Sequence, residues 1–515
     1  MSKKDKFSTL INKVALGAGF LFLNSIIIYL IRFFYKLIIS RHLGPENYGM
    51  FSLGLMFVNV FALLTTLGIN NGIVKYIAHY NSLKDKNRVK GTILSSIKIP
   101  FIVSTISAIL LIIFSDIISN QLFKNPSFKI ILIIFSIGIP FFTILKILSK
   151  SFIAFKKPQY TIISSTFGKE LILLILSILM ITLGYSIISL SIIQILSVII
   201  GLTIAFFIFN KKVFPLFSKE ITPITQNKEL LSFSLPLFFT AIFVDIMGWA
   251  DTFFLGIYMN PSIVGIYNIA LPLATTLGIF LTSFSSMVFP IISEMKAQRN
   301  YKEMGKIFST VSRWIFLISF PIFIIIIFLP KTIIFNFFGK DYISGYNALA
   351  ILASGYFINV ITGPGIQVLK SFSKVKSIFI INSSLALFNV ILNIILIPKY
   401  SLNGAAIATA LSLIIREIII LYMTKKLIKF KYQKIYYLKY FISALIPSSI
   451  LYYFISNYTH QITLTYLIIL SIIFTTTYFI IVIILKGFNK DDIDIVTSLE
   501  KRTKINLSII KKIMR

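Results

Sequence analysis

The sequence predicts an all-α integral membrane protein with about fourteen transmembrane helices. Hydrophobic residues make up 57% of the 515 residues and charged residues only 13%, whereas a soluble domain carries about a quarter charged residues. Stretches of roughly 20 apolar residues, the length that crosses a bilayer, recur along nearly the whole chain. Lys and Arg also alternate between poor and rich loops, as in polytopic membrane proteins.

The apolar stretches end at turn-forming sequences such as Gly44-Pro45-Glu46-Asn47 and Asn260-Pro261-Ser262. The basic N-terminal segment leads into an apolar stretch too long for a signal-peptide core, so we expect an uncleaved first helix. The predicted helices lie near residues 14–39, 48–79, 91–114, 130–148, 159–183, 187–210, 230–257, 262–290, 307–328, 343–369, 377–398, 402–424, 440–457 and 463–485.

The basic residues in the loops predict the orientation, because cytoplasmic loops retain Lys and Arg. These residues concentrate in the N-terminal segment, in every second loop and in the tail. The opposite loops hold only Arg41, Lys124, Lys129, Lys331, Lys340 and Lys399. We therefore expect a multi-pass protein of the cytoplasmic membrane with both termini in the cytoplasm.

The tail, residues 487–515, places Ile505, Ile509 and Ile513 at helical spacing among basic residues. This pattern predicts a basic amphipathic helix lying on the anionic inner leaflet. A frayed basic end is the alternative interpretation of the same residues.

An internal repeat divides the chain. With a shift of 216 residues, Pro45 matches Pro261 and Gly49 matches Gly265; a second landmark, Tyr185, matches Tyr400 with nearly the same shift. The repeat predicts two pseudo-symmetric six-helix lobes, an N-lobe (1–212) and a C-lobe (213–430), followed by two extra helices (431–486). Such lobes bind a substrate between them and suit alternating access.

Ionisable residues inside spans are costly and mark functional or paired positions. Arg32 and Lys36 lie one turn apart on the same helix face, and Lys98 corresponds to Arg313 across the repeat. We predict that these four cations line a central cationic cavity, since Arg and Lys suit an anionic diphosphate. Asp251 either neutralises such a cation or carries a coupling proton.

Other intramembrane charges have simpler interpretations. The adjacent pairs Lys169/Glu170 and Arg416/Glu417 are predicted to be compensating structural charges, and Lys75 to extend its ammonium toward the inner surface.

Several function classes are excluded. The net charge of +33 does not indicate nucleic-acid binding, because most cations lie in short loops between apolar spans. There is no cysteine, no phosphate-binding GxxxxGK[ST] loop and no HExxH motif. We expect no cofactor, no metal site and no enzymatic bond chemistry.

Four sequence landmarks stand out. They are Ser40-Arg41-His42-Leu43-Gly44-Pro45-Glu46-Asn47-Tyr48-Gly49, Asp251 with Gly265-Ile266-Tyr267, Phe289-Pro290-Ile291-Ile292-Ser293, and Leu396-Ile397-Pro398 with Gly404-Ala405-Ala406-Ile407-Ala408-Thr409. As a set they resemble the landmarks of polysaccharide-transporter (Wzx-type) flippases of the multidrug/oligosaccharidyl-lipid/polysaccharide (MOP) superfamily, and the similarity covers helices 1–12. The tail resembles that of archaeal members.

The resemblance implies flipping of a polyprenyl-(di)phosphate-linked oligosaccharide (an O-antigen, cell-surface polysaccharide or N-glycan precursor) from the inner to the outer leaflet. An archaeal member would use a dolichyl carrier. Lipid-linked oligosaccharide and membrane lipids are the implied partners, with glycosyltransferases or a polymerase as candidate protein partners. Two alternatives remain open: a cation-coupled multidrug exporter of the same superfamily, and a non-transporting membrane partner of a glycan-assembly complex.

Overall fold

The computed structural model describes the backbone of residues 3–458, 463–489 and 492, with side chains except those of 3–25, 240–241, 286–287 and 455–458. Within these ranges the chain is helical and contains no strand. The predicted tail helix, 487–515, falls outside them apart from residues 487–489 and 492.

The α-helices are α1 (Lys3–Leu64), α2 (Ile69–Ser82), α3 (Lys86–Ile113), α4 (Ser115–Ile117), α5 (Phe128–Ala154), α6 (Gln159–Thr161), α7 (Ile172–Thr182), α8 (Ile187–Ile208), α9 (Asn227–Tyr258), α10 (Pro261–Thr275), α11 (Gly278–Ala297), α12 (Tyr301–Phe328), α13 (Pro330–Phe338), α14 (Tyr346–Thr362), α15 (Gly365–Ser371), α16 (Val375–Ile428), α17 (Lys434–Tyr458) and α18 (Leu464–Ile484). Three π-helical stretches (Ile118–Leu122, Ile162–Leu171, Phe209–Val213) and one 3-10 stretch (Lys340–Gly345) adjoin them.

The predicted all-α membrane fold is confirmed, but the count of fourteen spans is not. In the part of the chain that the structure describes, ten helices are long and apolar enough to cross a membrane. An eleventh span results if Asn227–Phe239 and Ile242–Tyr258, bent by 46° relative to each other, are counted as one. Large apolar side chains such as Ile106, Ile109 and Ile113 are exposed on α3, as expected for helices that face lipid.

Two helices are much longer than a bilayer requires. Helix α16 has 54 residues, or roughly 80 Å at 1.5 Å per residue, against about 30 Å of hydrocarbon. It is interrupted by non-helical dihedral angles at Ser401, and α1 is interrupted in the same way at Gly44. Both breaks fall at turns that the sequence predicts between two spans, so each long helix corresponds to two predicted helices.

Three other predicted helices are interrupted where the sequence analysis expected continuity. The predicted helix 48–79 breaks between α1 and α2, where Leu67 and Gly68 have φ angles of 48° and 73°. The predicted helix 262–290 breaks between α10 and α11, and the predicted helix 343–369 breaks at Gly363, whose φ is 73°.

The first two of these breaks share one sequence, Thr-Thr-Leu-Gly, at residues 65–68 and 275–278. The hydroxyl of Thr66 donates to the carbonyl of Leu63, and that of Thr276 donates to the carbonyl of Leu273. Side-chain hydroxyls that bond to the preceding turn compete with the helical hydrogen bonds and favour a bend. This repeated motif is a signal that the sequence analysis missed.

The chain divides into two compact units, one formed by Met1–Asn268 with Asn389–Gly404 and the other by Ile269–Phe388 with Ala405–Arg515. In the first unit, α1 packs against α5, α7 and the π-helical stretch Ile162–Leu171. The predicted division into lobes at residues 212 and 430 follows the repeat and stays a prediction.

Candidate functional site

The first element of the site is Arg32 on α1. Its side chain is 56% exposed, and it donates two hydrogen bonds to Oε1 of Glu170, from Nη2 at 2.6 Å and from Nε at 3.1 Å. Hydrogen bonds between two ionised groups are about twice as strong as neutral ones. Nη1 has no acceptor among the described side chains, so part of the guanidinium remains available to an anion.

Glu170 is 8% exposed and lies in the π-helical stretch Ile162–Leu171. Gly201 of α8 has no Cβ atom, and one built there would lie only 2.9 Å from the carbonyl oxygen of Ser164. This close packing of the π-helical stretch on α8 fixes the position of Glu170. Lys169 Nζ binds the same Oε1 at 3.1 Å. The predicted Lys169/Glu170 compensation is confirmed by this contact, and the structure adds Arg32 as a second partner of the carboxylate.

Lys36 completes the group of charges. It is half-buried, one turn from Arg32 on α1, and within electrostatic reach of both Arg32 and Glu170. The neighbouring Tyr35 donates to Gln194 Oε1 of α8 at 3.0 Å and holds α1 in register. Three cations and one carboxylate leave a formal charge of +2, and such a surplus favours an anion.

The other two predicted cavity cations have different surroundings. Lys98 is exposed on α3 of the first unit. Arg313, on α12 of the second unit, is fully buried and forms an ion pair with Asp492, which also accepts from Trp314 Nε1 at 2.7 Å. The Arg313 guanidinium lies over the ring of Tyr436 at 4.5 Å. The structure thus gives Arg313 a protein anion. That these four cations line one central cavity stays a prediction.

Asp251, on α9, is 3% exposed and accepts hydrogen bonds from the hydroxyl of Tyr267 and from Asn393 Nδ2, the latter at 2.8 Å. Asn393 also donates to Asn389 Oδ1 at 3.1 Å. The two asparagines lie one turn apart on α16, and both are fully buried. Sequence reasoning missed them, although their spacing in an otherwise apolar helix was the available signal.

Two further predictions concern Arg416/Glu417 and Lys75, of which the extension of Lys75 toward the inner surface stays a prediction. Arg416 pairs with Glu417 at 2.8 Å, so this compensation is confirmed. Glu417 also accepts from Asn359 and Thr362, at 2.7 and 2.9 Å. Lys75 is exposed, with its ammonium 3.7 Å from the centre of the Phe233 ring.

Together the apolar spans and the polar groups within them define a multi-pass membrane protein. The family model described as "Polysaccharide biosynthesis protein" matches residues 14–296, and the MatE model matches residues 236–395. The first match covers more than half of the chain, so the chain belongs to the polysaccharide biosynthesis protein family. This confirms the predicted membership in the MOP superfamily.

Three curated relatives are similar to this chain. The uncharacterized membrane protein MJ1068 of Methanocaldococcus jannaschii is 25% identical over 80% of this chain and 83% of its own length. A putative O-antigen transporter of Shigella flexneri is 23% identical over 74% of this chain and 90% of its own length. The probable low-salt glycan biosynthesis flippase Agl15 of Haloferax volcanii is 26% identical over 36% of this chain and 39% of its own length.

Among solved structures, the lipid II flippase MurJ in an inward closed conformation is similar in fold. It superposes with a TM-score of 0.73 at 19% identity and covers 90% of this chain and 98% of its own.

Proposed function

We propose that the protein is a flippase that translocates a lipid-linked oligosaccharide across the membrane. The observation that carries this proposal is the family membership of residues 14–296. The relatives named as O-antigen transporter and glycan biosynthesis flippase, and the MurJ-like fold, support the same substrate class. The carrier lipid is a polyprenyl or dolichyl phosphate, and transport proceeds by alternating access, for which the internal repeat is the support.

The anion site of this flippase is formed by Arg32 and Lys36. Part of the Arg32 guanidinium is exposed and does not bond to Glu170. Lys36 adds a second positive charge one helical turn away. The role of Glu170 is to orient the guanidinium and to lower the cost of placing three cations within membrane helices. Lys98, which is exposed on the same unit, remains a candidate contact for the anion, whereas Arg313 is assigned to an ion pair with Asp492.

Coupling to an ion gradient involves Asp251. A buried carboxylate surrounded by a phenol and asparagine amides offers oxygen ligands to a hard cation such as Na⁺ and a site for a proton. Energy is also available from the membrane potential, because outward movement of net negative cargo is favoured by about 2.3 kcal/mol per charge per 100 mV. The chain carries no phosphate-binding loop, so ATP hydrolysis by this chain is not part of the mechanism.

The protein acts in the cytoplasmic membrane with both termini in the cytoplasm, an orientation supported by the asymmetry of the basic loops. Its substrate then arrives from glycosyltransferases on the cytoplasmic face. These enzymes, or a polymerase on the other face, are candidate partners.

A second candidate is a cation-coupled multidrug exporter. It is favoured by the MatE match to residues 236–395, which contain Asp251. The cationic group around Arg32 argues against it, because a site with surplus positive charge repels a cationic drug.

The test is reconstitution of the purified chain into liposomes that contain a fluorescent polyprenyl-diphosphate oligosaccharide. We expect flipping without ATP that accelerates under an imposed Na⁺ gradient, H⁺ gradient or membrane potential. Strict dependence on ATP in the purified system, or transport of cationic drugs with no movement of the lipid, would overturn the proposal.

A further inference from the structure

A cavity of about 400 Å³ opens at one end of the second unit, between the start of α12 and the segment that follows α16. Its wall carries four lysines, Lys302 and Lys306 from α12 and Lys429 and Lys431 from the following segment. All four are exposed, and the lining residues in the described part of the chain include no carboxylate. Lys302, Lys429 and Lys431 make the cavity electropositive.

The cavity has a preformed floor. The ring of Phe430 packs on that of Phe308 with centroids 4.4 Å apart, and both belong to a buried apolar cluster with Ile428. The hydroxyl of Ser309 donates to the carbonyl of Lys431 at 3.0 Å and ties the segment to α12.

The approach of the segment to α12 is close. A Cβ atom on Gly305 would lie 3.0 Å from the carbonyl oxygen of Ile428. This packing fixes the backbone on which two of the four lysines are carried, so the arrangement of charge over an apolar floor is built into the fold.

The chemistry of the wall indicates a phosphate ligand. Lysine ammonium groups act as point charges that bind phosphate from several directions. Bidentate recognition of a particular diphosphate geometry requires arginine, and none is among the described residues of the wall. Phe430 and Ile428 offer apolar contact next to the charges. The volume lies within the range of about 300–1,000 Å³ typical of small-molecule sites.

We propose that this cavity binds the phosphate head group of an anionic membrane phospholipid. In the predicted topology the four lysines lie between helices 262–290 and 307–328 and between helices 402–424 and 440–457. The basic residues assign both connections to the cytoplasmic side, where anionic lipid head groups attract clustered lysines. The site goes beyond the proposed transport function, since it is built from residues separate from the group around Arg32 and selects a lipid that is not cargo.

The experiment is native mass spectrometry of the purified chain in detergent, titrated with dioleoylphosphatidylglycerol or with dioleoylphosphatidylcholine. We expect tighter binding of the anionic lipid. The double variant Lys429→Gln/Lys431→Gln should weaken it roughly 30-fold, because each lysine near an anionic head group contributes about 1 kcal/mol. Lys302→Gln, a single change in α12, should weaken it about fivefold and serves as a second variant if the first does not fold.

The matched control is Lys84→Gln/Lys86→Gln. Lys84 and Lys86 are exposed like Lys429 and Lys431, and they lie in another loop of the same predicted side. The φ angle of Lys84 is 58°, comparable to the 46° of Lys429. Unchanged binding by the control supports the site; an equal loss in both double variants would show a general charge effect and overturn it.

Two further outcomes would also overturn the site. One is equal affinity for phosphatidylcholine. The other is complete displacement of the lipid by equimolar glycerol 3-phosphate, which would identify a soluble phosphate as the ligand. Because no transport is measured, failure of the flippase proposal would leave these results unaffected.

Discussion

Gly49 packs against Pro261, and Gly265 packs against Pro45. Each glycine thus contacts the proline that precedes the other glycine in the repeat. A Cβ atom on Gly49 would lie 1.8 Å from the carbonyl oxygen of Pro261, and one on Gly265 would lie 2.1 Å from the carbonyl oxygen of Pro45. The two prolines and the two glycines are the residues that the internal repeat matches. A reciprocal contact of this kind is what a local two-fold axis produces.

We predict that Gly49→Ala or Gly265→Ala destabilises the protein by about 1–3 kcal/mol, the usual cost of overpacking a close contact. The obstructing atom is a backbone carbonyl, which cannot move without its helix. Thermal unfolding in detergent measures the effect. Gly248→Ala on α9 is the control, because a Cβ atom there meets nothing within 4 Å; equal melting temperatures for all three variants would refute the close contact.

Neutralising Arg32 and Lys36 together (Arg32→Gln, Lys36→Gln) should weaken binding of the lipid phosphate and slow flipping. Each lost charge-assisted contact should cost roughly 1.5–3 kcal/mol. Folding should persist, because Glu170 keeps Lys169 as a partner at 3.1 Å. The measurements are polyprenyl-phosphate binding and flipping in proteoliposomes, with protein levels as the reference.

Lys75→Gln is a suitable control for that pair, since it removes an exposed intramembrane cation that stacks on Phe233 and has no place in the group around Arg32. Normal transport by the Arg32/Lys36 double variant at normal protein levels would retire the anion site.

Asp251→Asn should abolish the response of flipping to an imposed Na⁺ or H⁺ gradient while slow, uncoupled flipping remains. The amide retains one acceptor oxygen for Tyr267 or Asn393 but cannot exchange a cation or proton at physiological pH. Proteoliposomes with imposed gradients provide the measurement. Tyr267→Phe is the matched control, because it removes one hydrogen bond and keeps the charge; if Asp251→Asn responds to gradients as the wild type does, the coupling role is lost.

Arg313→Met should destabilise the protein by about 3–5 kcal/mol, because it leaves the fully buried Asp492 without its cation. The double variant Arg313→Met/Asp492→Leu should recover most of this loss, since replacing both charges removes the desolvation cost. Thermal unfolding of the wild type, the two single variants Arg313→Met and Asp492→Leu, and the double variant completes the cycle. A stable Arg313→Met protein that no longer binds the lipid phosphate would instead return Arg313 to the substrate site.

The orientation of the chain can be tested directly, because the sequence contains no cysteine. Cysteines introduced at the exposed residues Ser82 and Asn120 should react with a membrane-impermeant maleimide from opposite sides, Ser82→Cys from the cytoplasm and Asn120→Cys from outside. Ser2→Cys and Ser508→Cys should match Ser82→Cys. Labelling of Ser82→Cys and Asn120→Cys from the same side would invalidate the predicted topology.

Composition and spacing were sufficient to predict the helical membrane fold, the family and the breaks at Gly44 and Ser401. These features are local: a span is a contiguous apolar stretch, and a turn is a short run of Gly, Pro and Asn. The adjacent pairs Lys169/Glu170 and Arg416/Glu417 were predictable for the same reason. The two helix breaks at Thr-Thr-Leu-Gly could also have been predicted, because the same four residues occur at both positions of the sequence.

Partnerships between distant residues were decided only by tertiary structure. Arg32 and Glu170 are 138 positions apart, and Asp251 and Asn393 are 142 apart, so no periodicity relates them. Arg313 and Lys98 occupy equivalent positions of the internal repeat. Packing nevertheless buries Arg313 against Asp492, whereas Lys98 is exposed. The charge of a residue is fixed by its type, whereas its role depends on which opposite charge the fold brings within about 3 Å of it.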